Sequence, residues 1–528
     1  MRVVRTGGFA WQTAICLTCI LLGATGLEAQ TPPPIATDVP ASGFVFTVHR
    51  PSTGGSLLSG PELVQITNSQ SPNAAWTASS SEPWLDVLPA SGTTPAVITL
   101  SLDAAASGVL TRGTYFGEVT LVSPVAPQSP TRISIELRIT DATSITTPPQ
   151  GVVDIPLQNA TGLSGAVAVS GWAVDDVGIS RVQIYRGATG SEPPGDVYLG
   201  DATRVRGARP DIIAAAPGRP GVSSAGWGFM ILSNVLPNGG NGTFTLSAVA
   251  QDVEGMRTLL GQKTVTFDNI NSPLPFGTID FPAQGGTMSG TYQNQGWILA
   301  QPNRFIPFDG SSIRLIIDGA LQPNVAGYGF PRPDVASLFP FPPYVNAAGP
   351  AVQFTIDTTQ LSNGVHTIVW FVIDDAGAAQ GIGSRYVSVQ NASIGFTAAS
   401  TQARSAAEVR AMPRSTAFVW DRKGFDDGAW SLQFSGGATN VIHQRPGERL
   451  EIALHPWWSR GCGPFAGYQM TGDVAGPLPP GASLDGDRGL FRWMPAAGFA
   501  GTFDLVFVRR VCGGRDEQIP VRVVIGEQ

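Results

Sequence analysis

The sequence predicts an all-β chain built from tandem β-sandwich modules, and three observations carry that expectation. Gly (64 of 528 residues), Pro (43) and abundant Ser and Thr, against two Lys and seven Met, disfavour long helices and suit short strands joined by turns. Apolar and polar residues alternate with the period of a half-buried strand, as in Phe44, Phe46 and Val48 or in Ile133, Ile135 and Leu137. Finally, four landmarks occur twice in the same order. Gly171-Trp172-Ala173, Arg209-Pro210-Asp211, Asp252-x-x-Gly255 and Asn269 return as Gly296-Trp297, Arg332-Pro333-Asp334, Asp374-x-x-Gly377 and Asn391, offset by 122 to 125 residues. A duplicated unit of that size points to an array of modules, and the chain is long enough for about four.

Residues 1–29 read as an export signal. Arg2 and Arg5 precede an apolar run from Ala14 to Leu22, and Ala29 offers a cleavage site before Gln30. The run is shorter than the roughly 20 residues of a spanning helix, and no later segment reaches that length, so the expected mature chain has no transmembrane segment and is secreted or held at the cell surface. Residues 30–42 form a Pro-rich linker. With a net charge of −7 the chain has no concentrated basic face, which argues against nucleic acid and leaves an extracellular protein or a polysaccharide as the partner.

Residues 43–140 supply the first sandwich, with strand patterns at Leu63–Ile66, Ala96–Leu100, Gly117–Leu121 and Ile133–Leu137. Trp76 and Trp84, then Pro89-Ala90-Ser91-Gly92 and Gly113-Thr114-Tyr115-Phe116-Gly117, resemble the BACON module of bacterial extracellular proteins. That resemblance implies an immunoglobulin-like sandwich of a kind often attached to carbohydrate-active proteins. Two roles are open for Trp76 and Trp84: filling the core or stacking on a sugar from an exposed position.

Residues 141–150 are the next linker, followed by the first copy of the repeat (151–270) and the second (271–391). Ile179–Tyr185 and Gly242–Ala250 in the first copy match Ser312–Ile317 and His366–Ile373 in the second, and Asn241-Gly242 and Asn363-Gly364 supply turns before the long strands. Both copies resemble bacterial immunoglobulin-like domains, in which a Gly-Trp-Ala strand leads to an acidic turn and a late strand ends at Asp-x-x-Gly. Each carries a long insert, Gly200–Gly228 and Gly327–Pro350, whose role is either packing or ligand contact. The Arg-Pro-Asp triplets are suited to pinning these inserts to the sheet.

Residues 392–528 form the C-terminal immunoglobulin-like region. Leu478-Pro479-Pro480-Gly481, followed by Gly489-Leu490-Phe491-Arg492-Trp493-Met494-Pro495, resembles the cadherin-like repeats of bacterial surface proteins, with Ala482 departing from the usual apolar residue. Cys462 and Cys512, the only thiols after export, are expected to pair, and closing that loop adds about 4 kcal/mol in the chain-entropy estimate. Trp457-Trp458, after His455-Pro456, is the remaining candidate for ligand stacking.

The residues offer little chemistry of other kinds. The four His are scattered and form no His-x-x-x-His pair, and no Gly-x-Ser-x-Gly elbow or phosphate-binding loop occurs. Asp175, Asp176, Asp374 and Asp375 lie at turns, where they either cap backbone amides or contribute oxygens to calcium, the one cofactor worth testing. The expectation is a non-enzymatic extracellular scaffold or adhesion protein, with a carbohydrate-binding protein as the alternative.

Overall fold

The computed structural model describes residues 35–39, 42–67, 74–124, 130–190, 192–391, 406–415, 418–425, 429–433, 437–454, 463–472, 474–511 and 515–526. Among the described residues seven sheets account for nearly all of the regular structure, and they build the expected all-β tandem of sandwich modules. Short helices such as Ala104–Gly108, Pro210–Ala215 and Pro333–Leu338 are the exceptions.

The first sandwich packs a four-stranded sheet centred on Glu62–Thr67 and Ala96–Leu102 against a six-stranded one. In the latter, Phe44–Arg50 runs parallel to Thr131–Asp141, so the alternating residues Phe44, Phe46, Val48, Ile135, Leu137 and Ile139 all enter one core. The C-terminal region is a single sandwich of two five-stranded sheets, with Asn440–Gln444 parallel to Asp516–Ile525 and with Trp493, Phe499 and Phe503 in edge and tilted contact at its centre.

The two copies share their framework. Gln150–Ile155, Ala166–Val174 and Gly226–Leu232 are neighbours in the first, as Phe276–Phe281, Thr291–Leu299 and Ala351–Asp357 are in the second. Ile179–Gly187, Gly242–Asp252 and Arg257–Phe267 likewise match Ile313–Ile317, Gly364–Ile373 and Ala379–Val389. They diverge at one strand. Asp196–Val205 is long enough to pair with both halves, giving one continuous seven-stranded sheet, whereas in the second copy its place is taken by Ala320–Leu321 and Gly327–Phe330 in separate sheets.

The repeated landmarks turn out to be fixing devices. A Cβ on Gly171 would lie 2.5 Å from the Trp227 ring, and one on Gly296 would lie 2.9 Å from the Trp370 ring. The glycine therefore makes room for a core indole that each copy takes from a different strand. Asn269 accepts from Gly165 N (3.0 Å) and Ser233 Oγ (3.0 Å), and Asn391 accepts from Gly290 N (3.2 Å) and Thr358 Oγ1 (2.7 Å), closing equivalent turns. Arg209 forks onto Asp211 (2.9 and 2.7 Å) and reaches Asp154, while Arg332 forks onto Asp334 (2.8 and 2.6 Å) and reaches Asp280 at 2.6 Å. In both copies Pro opens the short helix that follows, and the Arg ties it to the first strand.

Candidate binding surfaces and module junctions

Trp76 and Trp84 are 1 % and 2 % exposed and belong to the core of the first sandwich. Gly92 and Gly117 pack against their ring atoms, so neither indole presents a face to a ligand. Trp457, Trp458, Cys462 and Cys512 lie outside the described residues.

The acidic turns hold backbone. Asp175 Oδ1 accepts from Val177 N (2.8 Å) and Gly178 N (3.0 Å), and Asp176 accepts from Thr147 N at 3.2 Å. In the second copy Asp374 Oδ1 accepts from Ala376 N (3.0 Å) and Ala378 N (2.8 Å), and Asp375 accepts from Phe305 N at 3.0 Å. Among the described residues no group of three or more His, Cys, Asp or Glu is arranged to hold a metal ion.

The counterpart of Asp374 is Asp252, and here the copies part. Asp374 Oδ2 meets Arg304 at 3.2 Å. Among the described residues Asp252 has no such cation. Its Oδ2 and that of Asp175 are both buried without a hydrogen-bond partner, and each carboxylate feels its acidic neighbours. Burial pushes Asp175 up to about 6, with Asp176 and Asp252 adding to the rise against the two backbone hydrogen bonds.

The sequence suggested sandwiches strung on Pro-rich linkers. The structure differs, because Pro33–Gln528 forms one compact unit in which the sandwiches pack against each other through side chains. Between the first sandwich and the first copy, Arg206 bridges Asp38 (2.9 Å) and Glu62 (3.4 Å), Ser223 donates to Glu62, and Thr47 donates to the Val177 carbonyl. His49 Nδ1 lies 2.8 Å from Glu254 Oε1, and Thr146 of the linker donates to the same carboxylate at 2.5 Å. Burial raises the Glu62 carboxyl, partly countered by Arg206. A cavity of about 210 Å³ opens beside Glu62, lined by Val45, Ile179, Pro220 and Val253 with Arg204, whose guanidinium is committed to the carbonyls of Ile179, Gly221 and Ser224.

The C-terminal sandwich sits against both copies. A Cβ on Gly228 would fall 2.1 Å from the Ala497 carbonyl carbon, and Gly498 N donates to Ser170 Oγ at 2.9 Å, so backbones meet directly on the first copy. On the second copy, Arg449 donates to Gly319 O and Ser483 to Asp318 O, each at 2.9 Å. Phe425 stacks on Phe371 (5.3 Å, 12°), and Met494 covers Ile316 and Val369. Close to this contact, His366 faces two acceptors, Asp318 Oδ2 at 2.6 Å and Ser362 O at 2.8 Å, which favours the imidazolium. Burial alone lowers its pKa, and the Asp318 carboxylate together with the Ser362 carbonyl outweighs that and raises it.

Comparison with known proteins gives little beyond this. No family model matches the chain, and no curated protein matches it. Among solved structures, the fibronectin(III)-like modules of Clostridium thermocellum CbhA are 14 % identical, with 46 % of this chain and 94 % of that one covered and a TM-score of 0.16. A tetra-tandem repeat from the extending region of a large adhesion protein is 13 % identical, covering 92 % and 100 % with a TM-score of 0.16. A Bacteroides ovatus GH5 xyloglucanase is 15 % identical and covers 21 % of this chain and 20 % of its own, with a TM-score of 0.15. TM-scores this low carry no argument about what this chain binds or does.

What the sequence did not single out are Glu254, Arg206 and Glu62, which do the joining. A signal existed for the backbone contacts: Gly226 and Gly228 interrupt an otherwise strand-like run, and such glycines mark the close approach of another backbone.

Proposed function

We propose that this protein is a non-catalytic extracellular scaffold or adhesion protein whose sandwiches are locked into one rigid body that presents exposed sheet faces and loops to a partner. One observation carries the reading: charged and hydrogen-bonding side chains that a catalytic site would use are spent on structure, within a module or between two. His49 is held at Glu254, His366 at Asp318, and Glu62 between Arg206 and Ser223. Rigid presentation favours binding because little ordering entropy is lost on contact.

Several finer assignments belong to the same proposal. Residues 43–140 act as a BACON-type module, 151–270 and 271–391 as immunoglobulin-like copies, and 392–528 as a cadherin-like module stapled by a Cys462–Cys512 disulfide. Residues 1–29 direct export, and the oxidising exterior suits that disulfide. The test is an assay of the purified chain from Gln30 onward against glycosidic, ester and peptide substrates, with thiol titration before and after reduction. No turnover, with two thiols released on reduction, supports the reading. Turnover abolished by one side-chain substitution contradicts it.

A further inference from the structure

The duplicated unit uses one sheet face in two ways. Setting Arg181 opposite Arg314 and Asp252 opposite Asp374 places Gln183 opposite Ile316, Ser247 opposite Val369 and Val249 opposite Phe371. In the second copy these apolar residues lie under the C-terminal sandwich, against Phe425 and Met494. In the first copy Gln183 and Ser247 put an amide and a buried hydroxyl where Ile316 and Val369 stand, Val249 keeps an aliphatic side chain at the place of Phe371, and the face is open at Tyr198, Asp201 and Arg257.

The open face is braced across its strands. Tyr185 and Tyr198 are directly paired neighbours on adjacent strands, with ring centroids 5.5 Å apart and planes inclined at 60°. Arg257, two strands away from Tyr185, donates from one nitrogen to Gln183 Oε1 (3.1 Å) and to Tyr185 Oη (3.0 Å), and Tyr185 Oη in turn donates to Gln183 at 3.2 Å. Tyr198 Oη donates to Asp201 at 2.8 Å while its ring remains 50 % exposed. At the other edge of the face, on the strand that carries Arg257, Leu259 is 53 % exposed.

We infer that this face of the first copy, built on Tyr198, Tyr185, Gln183, Arg257 and Asp201, is a binding platform for a pyranose polysaccharide. A sugar ring has an apolar C–H face and a rim of hydroxyls that both donate and accept. A half-exposed phenol ring matches the first, and a guanidinium, a carboxamide and a carboxylate on the same sheet face match the second. Arg257 spends only one of its nitrogens on the network, so donors remain for a pair of adjacent hydroxyls. Cross-bracing fixes the side chains before the ligand arrives, which removes most of the rotamer cost of binding. Four strands at about 4.8 Å spacing give a platform about 14 Å across, the scale of a short oligosaccharide. A protein module is the less suited occupant, since two of the three apolar residues that hold one on the second copy, Ile316 and Val369, are polar in the first.

The inference rests on the non-catalytic binding reading, and its test is separable from the activity assay above. The mature chain is run in native gels containing arabinoxylan, β-glucan, galactomannan or polygalacturonate, beside Tyr198→Ala, Arg257→Ala and, as a control on another exposed ring, Phe116→Ala. Retardation by at least one polysaccharide, with the dissociation constant rising tenfold or more in Tyr198→Ala and Arg257→Ala but not in Phe116→Ala, is the expected result. Retardation by the polygalacturonate alone assigns an acidic chain to the arginines, and retardation by a neutral one assigns stacking as the main contact. No retardation by any of the four, or equal retardation of the chain and both platform variants, overturns the inference. Should Tyr198→Ala melt early, Gln183→Ser removes the brace from the surface and takes its place.

Discussion

Replacing Asp175 by Asn should make the protein more stable at neutral pH and leave it unchanged in acid. Asp175 Oδ1 accepts two backbone N–H groups, a role an amide oxygen also fills, whereas Oδ2 is buried with no partner and close to Asp252. Burial lifts the carboxyl from 3.8 to about 6, so the folded protein binds this proton more tightly than the unfolded chain does. An acid shifted upward contributes its full stabilisation below the unfolded value, near pH 4, and loses it as pH rises through about 6. Two pKa units correspond to about 3 kcal/mol, a ceiling because neighbouring carboxylates titrate together. Urea unfolding followed by tryptophan fluorescence at pH 4 and pH 7.5 is the assay. The expected outcome is near-equal stability at pH 4 and an Asn variant more stable by about 2–3 kcal/mol at pH 7.5. A difference that stays constant across that range would refute the argument that an ionising, unpartnered carboxylate sits there.

Three further outcomes follow from the packing. Gly228→Val places a side chain against the Ala497 backbone and should undock the C-terminal sandwich from the first copy at a cost of about 1–3 kcal/mol, seen as earlier proteolysis between modules. Arg209→Ala removes a 6 % exposed guanidinium and its hydrogen bonds from Asp154 and Asp211, whose side chains are 32 % and 39 % exposed, and should cost about 1–3 kcal/mol; Arg332→Ala, at 29 %, should cost less, and hydrogen exchange over each insert reads the difference. Trp370→Phe strands Asn294 Oδ1, which now accepts from the indole at 2.6 Å, and should cost about 1–3 kcal/mol beyond the volume lost, measured by urea unfolding against Asn294→Ala and the double variant.

Much of the framework was legible because its signals are local. Alternation placed strands such as Phe44–Arg50 and Thr131–Asp141, and the duplicated landmarks marked turns that Asn269 and Asn391 close in the same way. The long-range pairings were not legible. Nothing near Gly171 or Gly296 says which strand will send the core indole, and the answer differs between copies. The insert helices follow from Pro at their first position, but a six-residue helix carries too little periodicity to stand out from a loop. Module docking was hidden for a different reason. It depends on glycines that admit a foreign backbone and on single charges such as Arg206, and neither leaves a pattern along the chain. The tyrosine pair of the first copy was equally silent, since Tyr185 and Tyr198 become neighbours only through strand pairing.

The account stands or falls on whether the sandwiches act as one body, and small-angle X-ray scattering of the mature chain measures that directly. A compact chain of this size should give a radius of gyration of about 23 Å, whereas four sandwiches strung end to end should give about 40 Å. A value near the first, moving toward the second in Gly228→Val, is the predicted result; a value near the second for the unaltered chain would contradict the account.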